Sequence, residues 1–341
     1  MFLRVRAPAI IELSLRDGTA ALRLSKPFIR LPYRFDAEQL AREVARLPAS
    51  AWMAHPSSLP GNSAVALISS GGGDNDSFEG EKKQTPHLAG CEYLRQVMAS
   101  FGEVLSRSRL MKLDAGAEVS LHVDFNYHWF CRVRLHIPVF TNDSVIFHCG
   151  PEQLHMGAGE CWIFDSWRRH RVVNPSAQDR VHLVIDMAGS SRFWSLVRRV
   201  ENDDPLQTGV QARFVAFEPG QAVDIRTERF ASLPVMAPGE CTALIEDLIA
   251  DFSANPGNDP GLVVAYASLM RDFSADWREA WLLYGHRAEG LAHYRALIET
   301  TRGRLHPNRR ALTASSNGIG VNAIFVQRVL NAALAPDAPM G

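Results

Sequence analysis

Three short runs of alternating residues constrain the fold of this chain more than anything else in it. Leu121-His122-Val123-Asp124-Phe125, Arg132-Val133-Arg134-Leu135-His136-Ile137 and Asp179-Arg180-Val181-His182-Leu183-Val184 each alternate apolar with polar or charged side chains. On an extended strand, side chains two apart point to the same face. Strands here would therefore pair His122 with Asp124, Arg134 with His136, and Arg180 with His182. One face would carry Val, Leu and Ile, and the other imidazole, carboxylate and guanidinium. Such strands suit the wall of a β-barrel with a polar interior, and the basic residues suggest an anionic ligand inside it.

The surrounding punctuation agrees. Asp114-Ala115-Gly116, Thr141-Asn142-Asp143, Gly157-Ala158-Gly159 and Asn174-Pro175-Ser176 divide residues 108 to 187 into short β-rich runs. That spacing belongs to a barrel or jelly roll and not to alternating βαβ units. A metal ion that activates oxygen needs three protein ligands on one side and open positions on the other, which two histidines and a carboxylate supply. His122 and Asp124 could chelate one ion side by side, and the region holds further histidines, among them His170, that could complete the set.

Two blocks, HVDFNYHWFCRVRLHIPV and GECWIFDSWRRHRVVNPSAQDRVHLVIDM, resemble the aspartyl/asparaginyl β-hydroxylase family of Fe(II)- and 2-oxoglutarate-dependent dioxygenases, which includes bacterial proline hydroxylases. The resemblance covers roughly residues 60 to 195, and its two blocks occur in the family's order. It implies a mainly β core, the double-stranded β-helix (jelly roll, cupin-like), with flanking helices. It also implies iron held by His122, Asp124 and His170, a 2-oxoglutarate-side pair at Arg134 and His136, and Arg180 gripping the far carboxylate of 2-oxoglutarate. Some family members have glycine in place of Asp124; its presence argues for hydroxylation over halogenation. The implied reaction is hydroxylation of an unactivated C–H bond, most readily of an amino acid or small amino-acid-derived metabolite. Hydroxylation of Asp, Asn or other residues in a protein or peptide is the alternative, and a non-catalytic jelly-roll binding or sensor protein is a third reading. A cupin isomerase or a dioxygenase without co-substrate would have no evident use for Arg180.

Bland roles compete for several of these residues. His128, His148, His155 and His182 read as ordinary polar or satisfied pocket residues, and Asp165, before Ser166-Trp167-Arg168, as a turn or cap. Asp272, Asp276, Glu279, His286 and His293 read as a solvated helix face and not as a second metal site. Ala64 to Ile68 reads as a strand that runs into Ser69-Ser70-Gly71-Gly72-Gly73-Asp74-Asn75-Asp76. This loop has the glycines of a phosphate loop without its GK[ST] or following helix. It is expected near the pocket mouth, with a lid role left open.

The chain's 341 residues, 46% hydrophobic and 21% charged, can bury a large core and hold more than one structural unit. A formal net charge of −1 gives no general attraction to nucleic acid or anionic membranes. Five cysteines, odd in number and without a CxxC pair, fit neither a disulfide scaffold nor a zinc site and point to a reducing cytoplasm. The N-terminal apolar residues are interrupted by Arg4, Arg6, Glu12 and Arg16, unlike a signal peptide, and no stretch is long enough to span a bilayer. The expected partners are a small-molecule or peptide substrate and O2, with a homodimer left open.

For organisation, residues 1 to 200 are expected to form the barrel domain. It opens with short strands over 1 to 33 and a helix capped by Asp36 with Gln39 three residues on. Leu94 to Leu105 reads as a helix, with barrel strands beginning near Arg109. Residues 201 to 237 read as a linker of mixed character starting at Glu201-Asn202-Asp203-Asp204-Pro205. Residues 238 to 341 read as an α-helical region with helices near 261–272, 276–301 and 319–334. Leu244, Leu248, Leu262 and Leu282 are expected on its buried face.

Overall fold

The computed structural model describes residues 24–54, 60–202, 212–230 and 233–335. In chain order the first elements are β1 (Phe28–Phe35), α1 (Ala37–Val44), β2 (Met53–Ala54), β3 (Asn62–Ser70), β4 (Lys82–Gln84), α2 (Pro86–Ala89) and α3 (Glu92–Ala99). Eight strands follow: β5 (Leu105–Leu113), β6 (Glu118–His122), β7 (Val133–Phe140), β8 (Ile146–Cys149), β9 (Glu152–Leu154), β10 (Glu160–Phe164), β11 (His170–Val173) and β12 (Arg180–Met187). A short helix α4 (Tyr127–Cys131) lies between β6 and β7. These strands divide between two antiparallel sheets, alternating except where the hairpin β8–β9 stays in one, with β5, β12, β7 and β10 adjacent in the larger and β6, β11, β8 and β9 forming the smaller. That order is the double-stranded β-helix implied by the family resemblance, and it agrees with the barrel pattern of the alternating runs. The larger sheet is extended by β13 (Arg213–Val215), β1, β3, β2 and β4.

β12 shows how one sequence pattern builds both core and site. It pairs with β5 on one side and β7 on the other, so all eight of its residues are buried. Val181, Leu183, Ile185 and Met187 join the core beneath the helices, with Leu135, Ile137 and Val139 of β7 and with Leu40, Val44, Leu94 and Val97. The intervening Arg180, His182 and Asp186 are absent from that core and face the barrel interior together with Arg134 and His136. Apolar burial therefore fixes the strand and leaves the opposite face free for chemistry.

Helix α1 begins as expected, with Asp36 accepting from the backbone N–H of Gln39 at 2.9 Å. Other boundaries differ. The helix expected over Leu94 to Leu105 ends at Ala99, because Gly102 takes φ 62° and turns the chain into β5, which starts at Leu105 and not near Arg109. Glu201 and Asn202 close a twelve-residue helix, α5 (Ser191–Asn202), and do not open a linker; residues 203–211 lie outside the described residues. Residues 1–23, where further short strands are expected, also lie outside them.

The later helices are α6 (Pro238–Ser253), α7 (Pro260–Tyr284), α8 (Leu291–Gly303) and α9 (Val321–Phe325), the last continuing through a π-turn at Val326–Leu330 to Ala333. The helices expected over 261–272 and 276–301 are divided differently. No breaker separates Arg271 from Trp277, and the chain turns instead at Gly285, where φ is 55°. Leu244 and Leu248 are buried as expected, but Leu282 is 79% exposed. Its turn of α7 instead buries Trp277 and Ala280, which lie on the opposite stripe. Among the described residues no helix is long and apolar enough to cross a membrane.

This helical core reaches the barrel rim. Trp167 is part of it, and Phe125, Tyr127 and Phe130 pack against it. Trp167 Nε1 donates to Ser316 Oγ at 2.6 Å, and Arg328, fully buried, lies over the rings of Phe130 and Trp167 at 4.6 and 5.5 Å. The helices thereby brace the segment between Asp124 and β7.

Candidate metal centre and anion pocket

The smaller sheet brings His122 and His170 directly opposite each other, on β6 and β11. Their ring centroids are 4.1 Å apart. Asp124, just past the end of β6, is held by its backbone N–H on the Ser166 carbonyl at 3.0 Å. Its carboxylate oxygens lie 3.9 Å from His122 Nε2 and 3.9 Å from His170 Nε2. One donor atom from each of the three residues lies within 4.8 Å of the others, a group able to hold a metal ion.

The next layer of bonds fixes which nitrogen is available. His122 Nδ1 is 2.8 Å from the Ser120 carbonyl and His170 Nδ1 is 2.9 Å from the Arg168 carbonyl. Each carbonyl accepts a proton from Nδ1, leaving the Nε2 lone pair aimed at the shared point. Burial lowers the His170 pKa to about 4, against the raising effect of Asp124, so the imidazole is neutral near pH 7. The site is deep on one side and open on the other: the His170 side chain is 6% exposed and that of His122 is 41% exposed.

Inside the barrel from this cluster the wall is aromatic. Phe164 packs against His170 and His136 with centroids 4.9 and 5.1 Å apart, and His182 stacks on Phe147 at 5.3 Å. Arg180 lies over the other end of this wall, its guanidinium 4.9 Å from the Phe147 ring. Arg180 Nε and both ring nitrogens of His136 and of His182 are buried without a hydrogen-bond partner. Burial pulls the Arg180 pKa down to about 9, and no carboxylate among the described residues pairs with it. Buried polar atoms are nearly always partnered, so the donor set here is complementary to an anion from outside the chain.

Arg134, expected beside His136, is differently placed. Its Nε donates to Asp186 at 2.8 Å and its guanidinium lies 3.9 Å over Trp129. Burial would raise the Asp186 pKa, but Arg134 and then His128 hold it well below the ordinary carboxylate range. His128 is therefore a buried partner of Asp186, at 3.2 Å, while Asp165 makes a turn, accepting from the Trp167 N–H at 3.2 Å. His155 bonds the Val145 carbonyl at 3.0 Å, away from the cluster. His182 lies beside Arg180, as the alternation predicts, and beside His136, but its ring nitrogens lack the partners of a satisfied pocket residue. The sequence reading also passed over Arg107, Arg109 and Asp186. Their signal is the alternation of Ser106-Arg107-Ser108-Arg109 and the continuation of the Arg180, His182 face to Asp186.

Strand order and a cluster of two histidines and one carboxylate define a jelly-roll protein with a candidate metal centre. Residues 64–189 match the family model described as aspartyl/asparaginyl beta-hydroxylase. Among curated relatives, L-proline cis-4-hydroxylase of Rhizobium meliloti (strain 1021) is 24% identical over 221 residues, covering 60% of this chain and 75% of the relative. Similar solved structures include an oxidoreductase of the 2OG-Fe(II) oxygenase family from Burkholderia pseudomallei, 18% identical with a TM-score of 0.34, covering 47% of this chain and 83% of that one. A prolyl-4-hydroxylase of Pseudomonas putida is 14% identical with a TM-score of 0.31, covering 48% and 92%.

Proposed function

We propose that this protein is an Fe(II)- and 2-oxoglutarate-dependent dioxygenase that hydroxylates a C–H bond of a free amino acid or a small amino-acid-derived metabolite. The observation that carries the reading is the presence, in one barrel, of a three-ligand cluster and a buried arginine that no carboxylate among the described residues pairs with. His122, Asp124 and His170 would hold iron on one side, leaving positions open toward the interior. Arg180 would receive the distal carboxylate of 2-oxoglutarate, its planar fork matching two carboxylate oxygens. His136 and His182, both kept neutral by burial, would donate to the same molecule without adding charge. Arg134, tied to Asp186, would supply a fixed positive field beside Asp124.

Bound Fe(II) with 2-oxoglutarate and O2 supplies the oxidising power that places a hydroxyl on carbon while 2-oxoglutarate becomes succinate and CO2. The protein's own residues bind, orient and exclude water. The name of the Rhizobium relative, which hydroxylates L-proline, supports the amino-acid substrate class.

The test is succinate release under air with Fe(II) and 2-oxoglutarate, screened over free amino acids beginning with L-proline, and over short peptides. Release stimulated by a free amino acid is the expected result. Stimulation by peptides alone would move the substrate class to protein residues. Failure of 2-oxoglutarate to bind the Fe(II) protein anaerobically would remove the enzyme reading altogether.

A further inference from the structure

The glycine loop after β3 turns inward. Asp76 accepts from Arg107 Nη1 at 2.8 Å and pairs with Arg109 Nη1, both arginines rising from β5. The arginine side chains are 2% and 5% exposed and that of Asp76 is 27% exposed. Two residues on, Phe78 lies 4.0 Å beneath the Arg107 guanidinium and packs on the rings of His128 and Trp129.

Three observations mark this as an exchangeable contact. The loop starts at Gly71 and Gly72, with φ 66° and 81°, and ends at Gly80, with φ 77°, so both ends sit in backbone conformations that other residues rarely adopt. The charges are unbalanced: Arg107, Arg109 and Arg134 face Asp76 and Asp186, while burial holds His128 neutral. Removing Asp76 would leave Arg109 without its paired carboxylate and Arg107 with Asp186 alone, at 3.7 Å, and Arg107 lies close enough to Asp124 for that carboxylate to act on it. Finally, Phe78 is a shared wall, stacked under Arg107 on one side and lining a cleft of about 220 Å³ with His128, Gln327 and Asn331 on the other.

We infer that Arg107 and Arg109 are the seat for the carboxylate of the substrate, and that Asp76 occupies this seat in the free protein. The word substrate rests on the dioxygenase reading; the seat itself does not. A substrate carboxylate entering by the cleft replaces Asp76, and the loop between Gly71 and Gly80 swings outward with Phe78. One carboxylate is exchanged for another, so no buried guanidinium is left uncovered at the end of the exchange. A molecule without a carboxylate or other anionic group gives no such compensation, which makes Asp76 a filter for such groups. Asn75, which donates to the Ser70 carbonyl at 2.9 Å, and Lys82, which donates to the Glu79 carbonyl at 2.7 Å, anchor the loop's two ends while the tip moves.

Asp76→Asn keeps the shape and removes the charge. A seat filled by its own carboxylate all but about a tenth of the time shows an outside anion an affinity reduced about tenfold. Acetate, titrated by calorimetry against chloride at equal ionic strength, is therefore expected to bind Asp76→Asn at least about tenfold more tightly than the parent. Arg180 is present in both proteins, so its contribution cancels. Amides of residues 71–80 should exchange at least about tenfold faster in the variant. Equal or weaker acetate binding, or unchanged exchange, overturns the inference; weaker binding would mean that Asp76 stays in place as part of the site. Should the variant not fold, exchange of the same amides in the parent decides, with acetate expected to accelerate it relative to chloride and no acceleration overturning the seat. Anaerobic 2-oxoglutarate binding to the Fe(II) protein is measured alongside. Its failure with the acetate result intact removes the dioxygenase reading alone, and the reverse pattern removes only this inference.

Discussion

Arg180 on β12 and Arg109 on β5 face the same interior from neighbouring strands, and burial pulls both down to about 9. Their surroundings differ. Arg109 shares Asp76 with Arg107, and nearby Arg134 is locked to Asp186. Arg180 has an aromatic face, two neutral histidines and, among the described residues, no carboxylate. A buried cation without a counter-charge leaves its desolvation cost uncompensated. One wall of this barrel therefore holds a seat the chain fills itself and a seat that only an outside anion can fill.

The comparison breaks most completely at the metal end. His170→Ala removes a donor shared by the whole arrangement while leaving both arginine seats in place. Stoichiometric Fe(II) binding and turnover should be lost with the melting temperature little changed, as read by metal analysis and thermal unfolding. Asp124→Ala should be severe but less complete, because both histidines remain. Iron retained at full stoichiometry in His170→Ala would sink the triad. The filled seat is tested next. Asp186→Asn leaves Arg134 without its buried counter-charge and Arg107 with Asp76 alone, and breaking a buried pair costs roughly 3–5 kcal/mol. Urea unfolding should show that loss, and a change below about 1 kcal/mol would mean that the cluster is far less tightly coupled than its geometry.

How much of this was readable in the chain follows from range. His122, Asp124 and Arg180 stand in alternating runs whose strand character is local, so the fold class and the candidate ligands were legible. That His122 lies opposite His170 is a register fact, set by the pairing of β6 with β11, and no local pattern carries it. Asp76 meets Arg107 and Arg109 across 31 and 33 residues, through closure of a loop whose glycines permit many paths. Asp186 was hidden because Val184 interrupts the polar face of Arg180 and His182, so the alternation breaks off one position short of it. Helix ends were missed for a similar reason: the exits at Gly102 and Gly285 are single positive-φ residues whose effect depends on what the next segment packs against.

The outside-filled seat gives the next effect. On the proposed reading Arg180→Ala would remove the grip on the distal carboxylate, and truncating one partner of a buried charged pair costs roughly 2–5 kcal/mol, so 2-oxoglutarate affinity should fall about 30-fold or more. Iron affinity should hold. Stability should be unchanged or raised, since an uncompensated buried charge disappears, the opposite sign from Asp186→Asn. Lysine should rescue poorly, lacking the planar fork. The measurement is an anaerobic titration into the Fe(II) protein; if Arg134→Ala loses affinity while Arg180→Ala does not, the anchor lies on β7 instead.

The smallest effect is expected at a third buried arginine, Arg328, which bonds Asp247 at 2.9 Å and the Leu244 carbonyl at 2.9 Å and lies over Phe130 and Trp167. Here the guanidinium is satisfied within the helices and its work is to brace the barrel rim. Trp167→Phe keeps a ring under Arg328 but deletes the bond to Ser316, which itself bonds Asp251 at 2.6 Å. The loss should be about 1 kcal/mol of stability, the usual size of one hydrogen bond, with Fe(II) and 2-oxoglutarate affinities moving less than about twofold. A purely supporting contact gives that split between stability and binding. If iron affinity falls as well, the helices set the position of His170, three residues along the same segment, and the metal centre extends into the helical region that appears only to buttress it.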